Sequence, residues 1–122
     1  MRDHRLNSLG QIITAAQESG SHFFDRDTLR FFSSRVSEMV YPTYGQNGTY
    51  FVTSERDSGS SYNHYARYYT VRRAYWVTKE DGTESLRIDT VGEFQTYMSR
   101  SGAHGAAKRI RQSQMVPADS DN

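Results

Sequence analysis

The segment from Ala66 to Val77, ARYYTVRRAYWV, constrains this chain more than any other. Its β-branched and aromatic residues suit a half-buried pleated surface and predict one long strand. Side chains alternate across a strand. Arg67, Tyr69, Val71, Arg73, Tyr75 and Val77 therefore share one face, and Tyr68, Thr70, Arg72, Ala74 and Trp76 share the other. Neither face is purely apolar, so alternation alone does not say which one meets the core. After this strand, TKEDGT (residues 78–83) contains Asp81-Gly82, a hairpin signal. Ser85–Asp89 then reads as a short strand. Before it, Thr49–Glu55 (TYFVTSE) is another β-branched and aromatic strand, joined by the polar loop 56–64.

Helical signals flank these strands. Asn7 or Ser8 can cap a first helix running to about Ser19, with Leu9, Ile12, Ile13 and Ala16 on one face and Gly20 as its stop. A second helix is expected from Asp25 or Asp27, whose carboxylate suits the positive end of the helix dipole. Leu29, Phe32, Val36, Met39 and Val40 follow at helical spacing, and Pro42 ends the run at Tyr41. Phe23 and Phe24 can staple its entry. TYGQNG (residues 43–48) reads as a turn. Thr90-Val91-Gly92-Glu93 fits a capping box for a third helix, with Val91, Phe94 and Met98 on one face. Ser101-Gly102 interrupts that helix, and Ala103 to about Gln112 continues it. The fold class expected is α+β: a small three-stranded antiparallel sheet with helices packed on one face. One domain spans residues 1–112, and 113–122 form a disordered tail.

The 122-residue length suits a single domain. Only 35% of residues are hydrophobic, but nine Tyr, six Phe and one Trp let a few large side chains build the core. There is no cysteine, which excludes disulfides, thiolate–zinc sites and thiol catalysis. The N-terminus lacks the apolar run of a signal peptide, and no stretch approaches a membrane span. The expectation is a soluble cytoplasmic protein. A net charge of +1 argues against both an acidic nucleic-acid mimic and a basic DNA-coating protein.

No catalytic or cofactor motif stands out. His4, His22, His64 and His104 are widely spaced, with no metal-ligand pattern. A hydrolytic triad of a serine, His64 and Asp57 lacks its usual sequence context. Asp25 and Asp27 are explained by capping, and YGQNG lacks the lysine of a phosphate loop. No cofactor or metal is implied. Two clusters suggest binding instead. The segment 61–76 interleaves Tyr62, Tyr65, Tyr68, Tyr69, Tyr75 and Trp76 with Arg67, Arg72 and Arg73. Aromatic and arginine side chains of this kind serve a sheet core, a protein interface or a single-stranded nucleic-acid platform. Arg100, Lys108, Arg109 and Arg111 form a second basic cluster, which can complement a helix C-terminus or, with Arg72 and Arg73, line a phosphate-binding face.

The blocks SHFFDRDTLRFFSSRV (21–36), TYFVTSERD (49–57), ARYYTVRR (66–73) and IDTVGEFQTY (88–97) carry a resemblance. They resemble a family of short proteins of unknown function encoded by bacterial viruses, common in phages of high-GC actinobacteria. It spans about residues 21–100 and transfers no activity and no catalytic residue. It implies a phage-type accessory protein, acting in the host cytoplasm.

The expected function is non-catalytic binding and modulation of a host or viral protein, inhibition of a host defence system such as a CRISPR complex being one form of it. The residues expected to carry the contact are Tyr65, Arg67, Tyr68, Arg72, Arg73, Trp76, Arg100, Lys108 and Arg109. The alternative is a small single-stranded DNA or RNA module using Tyr68, Tyr69, Trp76, Arg72 and Arg73.

Overall fold

The computed structural model describes residues 5–31, 33–43, 48–56 and 67–115. Its elements are α1 (Leu9–Glu18), α2 (Arg26–Phe31), β1 (Arg35–Pro42), β2 (Thr49–Arg56), β3 (Arg67–Thr78), β4 (Glu84–Val91) and α3 (Arg100–Met115). The α+β class holds, but among the described residues the antiparallel sheet has four strands in the order β1-β2-β3-β4, not three.

The extra strand occupies a segment whose apolar spacing suggested helix. The α2 helix stops after six residues because Ser33 adopts φ 51°. There the Ser34 amide donates to Leu29 O (2.7 Å) and the Ser33 amide to Arg30 O (3.1 Å), the paired bonds of a left-handed helix stop. Val36 and Val40, four apart, fit a strand face as readily as a helix face. Both sit in β1, where the register against β2 slips between them (Val36↔Thr53, then Val40↔Phe51), so β1 is bulged.

The helices lie on both faces of the sheet, which corrects the one-sided expectation. On one face Ile12, Ala15 and Ala16 of α1 pack with Leu6, Phe24, Phe51, Ala74 and Leu86. On the other, Ala103, Ala106 and Ala107 of α3 pack with Tyr41, Tyr50, Val52 and Val71. Three alanines let that helix approach the strands closely. β2 has seven consecutive buried residues because both its faces are covered. Full burial of side chains such as Phe51, Ile12 or Val52 stabilises by about 1.5–3 kcal/mol each.

The first helix matches its sequence signals. Ser8 Oγ accepts from the Gln11 amide, and Gly20 (φ 82°) closes the far end. The Asp81-Gly82 hairpin also forms, with Asp81 Oδ1 bonded to both the amide and hydroxyl of Thr83. The third helix does not start at Thr90. β4 runs through Val91, residues 92–99 are irregular, and α3 begins after Ser99, whose Oγ accepts from the Gly102 amide (3.1 Å). Ser101-Gly102 is thus the first turn of α3 and not an interruption. Thr90 Oγ1 accepts from Arg72 instead of capping a helix. α3 extends to Met115, three residues into the segment read as tail. Residues 116–122, like His4, Asp57, Tyr62, His64 and Tyr65, lie outside the described residues. Among the described residues no helix is long and apolar enough to cross a membrane.

Candidate functional site

The face of the sheet that carries α1 changes character along its length. Near α1 the cross-strand row is Thr49, Ala74 and Ile88. The next row is Phe51, Arg72 and Thr90, then Thr53 opposite Thr70, then Glu55 opposite Tyr68. Aliphatic core thus gives way to a buried polar cluster centred on Arg72.

Every nitrogen of Arg72 is engaged. Nε donates to Thr53 Oγ1 (2.9 Å), Nη1 to Thr90 Oγ1 (2.7 Å) and Nη2 to Glu55 Oε2 (3.4 Å). The Glu55 side chain is only 4% exposed and that of Arg72 13%. Thr70 Oγ1 completes the set, donating to Glu55 Oε1 (3.4 Å) and accepting from the Gln95 amide (2.8 Å). The guanidinium lies 5.5 Å from the ring centroids of both Phe23 and Phe94, within cation–π range of each. Burial draws the Arg72 pKa below its ordinary value, and Glu55 opposes that shift. A buried ion pair needs such added hydrogen bonds to offset desolvation.

Three tethers converge where β2 ends and β3 begins. Arg67 Nη1 donates to Ser33 O (2.9 Å) and to Ser54 O (3.0 Å), fixing the exit of α2. Gln95 Nε2 donates to Glu55 O and Arg56 O (3.3 Å each). Tyr97 exchanges backbone hydrogen bonds with Tyr69. The segments these tethers hold carry three exposed large apolar side chains: Phe31 (82% exposed), Phe94 (53%) and Met98 (80%). Phe94 and Met98 were expected, with Val91, on one face of a helix. The irregular path of residues 92–99, with Gly92 (φ 77°) and Gln95 (φ 58°), leaves them at the surface instead.

The predicted contact residues do not form one surface. Arg72 belongs to the buried cluster, and Arg67 is spent on the α2 tether. Trp76 packs against the α1-side core, and Tyr69 against the α3-side core. Tyr68 is half-buried opposite Glu55. Arg73 lies on the α3 face, with its guanidinium 4.5 Å from the Tyr75 ring centroid. Arg72 and Arg73 therefore point to opposite sides of the sheet. Arg100, Lys108 and Arg109 are exposed on α3, on the same face as Arg73. Phe31 and Met98 were absent from the predicted contacts. For Phe31 there was a signal: it falls off the Leu29–Phe32–Val36 stripe, an apolar residue with no place in a helical core.

Among the described residues no three His, Asp or Glu side chains converge as metal ligands. No curated protein and no solved structure matches the chain. A family model does match, and it takes in α1 and most of α3, beyond the 21–100 span of the sequence resemblance. The chain belongs to a family of unknown function, DUF7447, whose model covers residues 8–108.

Proposed function

We propose that this chain is a non-catalytic accessory protein that binds another protein and modulates it. The observation that carries the reading is a set of exposed large apolar side chains, Phe31, Phe94 and Met98, with the Phe94 ring beside the Arg72 guanidinium. Phe, Met and Arg are enriched at interface cores. Exposed apolar residues held by tethers are the starting condition of such a contact. The tethers matter because preorganised groups lose less entropy on binding.

The sequence resemblance supports a phage-encoded setting, in phages of high-GC actinobacteria, with a host or viral protein as partner. Inhibition of a host defence complex is one role within it. The single-stranded nucleic-acid platform on β3 has less support. Each nitrogen of Arg72 already donates inside the cluster, its side chain is 13% exposed, and Trp76 and Tyr69 pack against the two cores.

Affinity capture from nuclease-treated host lysate tests the proposal. A partner is expected with the wild-type chain and is lost with Phe31→Ser/Met98→Ser. Capture that vanishes on nuclease treatment, or that survives the double substitution unchanged, contradicts it.

A further inference from the structure

The opposite side of the sheet carries a separate charged feature. Arg100, His104, Lys108 and Arg111 follow at steps of four, four and three residues, one stripe of α3. Ala103, Ala106, Ala107 and Ile110 face the sheet, so the stripe lies on one flank of the helix. Helical geometry puts Arg109 on the other flank. At 1.5 Å per residue the stripe runs for about 16 Å, with a cationic or titratable side chain roughly every 6 Å.

The stripe overlies Tyr41 in the edge strand β1. Tyr41 Oη and His104 Nδ1 are 2.7 Å apart. Lys108 Nζ and Arg111 Cζ lie 5.8 and 5.7 Å from the Tyr41 ring centroid. Among the described residues no carboxylate pairs with Arg100, Lys108 or Arg111. Both His104 Nε2 and Arg111 Nε are buried without a hydrogen-bond partner among those residues. Unsatisfied buried nitrogens are uncommon and recover free energy when an acceptor reaches them.

We propose that this stripe binds the phosphate backbone of nucleic acid without reading its sequence. A linear array of cations with no carboxylate partner among the described residues matches a string of phosphates better than a single anion. Tyr41, the aromatic beneath it, is buried and offers no base-stacking surface. Contacts to phosphate alone carry no base preference. This second activity sits on the other face of the sheet from the Arg72 cluster and does not depend on protein binding through Phe31, Phe94 and Met98.

His104 adds a pH signature. Burial lowers its pKa from 6.5, and Arg100 and Lys108 lower it further. The groups facing it are Tyr41 from β1 and those two cations from its own helix. A bound polyanion offsets the cations and favours the imidazolium. Binding therefore takes up a proton and tightens as pH falls toward the depressed pKa of the free protein.

The test is fluorescence anisotropy of the full chain with a labelled 20-nucleotide single strand and the matching duplex. Three phosphate contacts give log–log salt slopes of about −2 for the single strand and about −2.7 for the duplex. Raising salt from 50 to 200 mM should then weaken binding roughly 20-fold and 40-fold respectively. With Arg100→Gln/Lys108→Gln only one contact remains, and the same salt change should cost about threefold. The charge-matched control Arg26→Gln/Arg30→Gln, on α2, should behave as wild type. His104→Gln should keep the salt slope and lose the pH dependence. Circular dichroism confirms folding of each variant. No binding of either oligonucleotide at 50 mM salt overturns the proposal, as do equal losses in the α3 and α2 variants.

Discussion

Arg72→Met is the most informative single perturbation of the fold. Methionine keeps much of the stem's volume and removes the guanidinium. Glu55, 4% exposed, then loses its charged partner, and Thr53 and Thr90 lose their donor. Breaking a buried pair by removing one member costs about 3–5 kcal/mol, because the remaining charge is left buried and unpaired. At roughly 4 °C per kcal/mol for a chain of this size, the melting temperature should fall by roughly 12–20 °C. Glu55→Gln in the Arg72→Met background removes that orphaned charge and should recover about 1–2 kcal/mol. Urea unfolding of the wild type, both single variants and the double variant gives the coupling energy directly. A loss of less than about 1 kcal/mol for Arg72→Met, typical of solvated surface pairs, would refute the buried-cluster reasoning.

Glycine positions provide a second test. At Gly48 (φ 120°) an added Cβ would come within 2.6 Å of Ala74 O and 3.0 Å of Tyr75 Cβ, so Gly48→Ala should cost about 3 kcal/mol or more. Gly20→Ala and Gly82→Ala meet no atom within 4 Å and should cost only about 1–2 kcal/mol of left-handed strain in the same thermal melts. The pH dependence of stability follows from His104. Its folded-state pKa lies below 6.5, so below that pH the unfolded chain binds more protons. Its contribution is complete above about pH 6.5 and is lost as pH falls toward the depressed folded value. The melting temperature of wild type should therefore drop more steeply than that of His104→Gln between pH 7 and 5.5. Phe31→Ser, at an 82% exposed site, should leave unfolding within about 0.5 kcal/mol of wild type.

Local signals in the sequence were decisive where chemistry and geometry coincided. Ser8, Gly20, the Asp81-Gly82 hairpin and the alternation of β3 all act as read. The signals failed where one pattern serves two structures. Val36 and Val40 satisfy helix and strand periods alike, and only the left-handed Ser33 decides between them. Serine is an uncommon residue at that conformation, so the helix stop was not visible. Thr90 and Glu93 have capping-box spacing, but β3 offered Thr90 a strand partner, and tertiary pairing with Arg72 prevailed. The aromatic–arginine strand was conspicuous because it is central. A strand covered on both faces needs residues that bury area and satisfy polar neighbours, so the same composition that suggests an interface built the core. Phe31 showed only as an apolar residue off the helical stripe, and the exposure of Met98 depends on the path of residues 92–99, which no local pattern encodes.

The claim that Phe31, Phe94 and Met98 form a protein-binding surface is tested most directly by quantitative capture from nuclease-treated host lysate. Wild type and Phe31→Ser/Met98→Ser serve as parallel baits, and partner recovery is measured by mass spectrometry. A protein should be retained by wild type and depleted at least tenfold on the variant, whose melting temperature matches wild type. Equal recovery on both baits would contradict it.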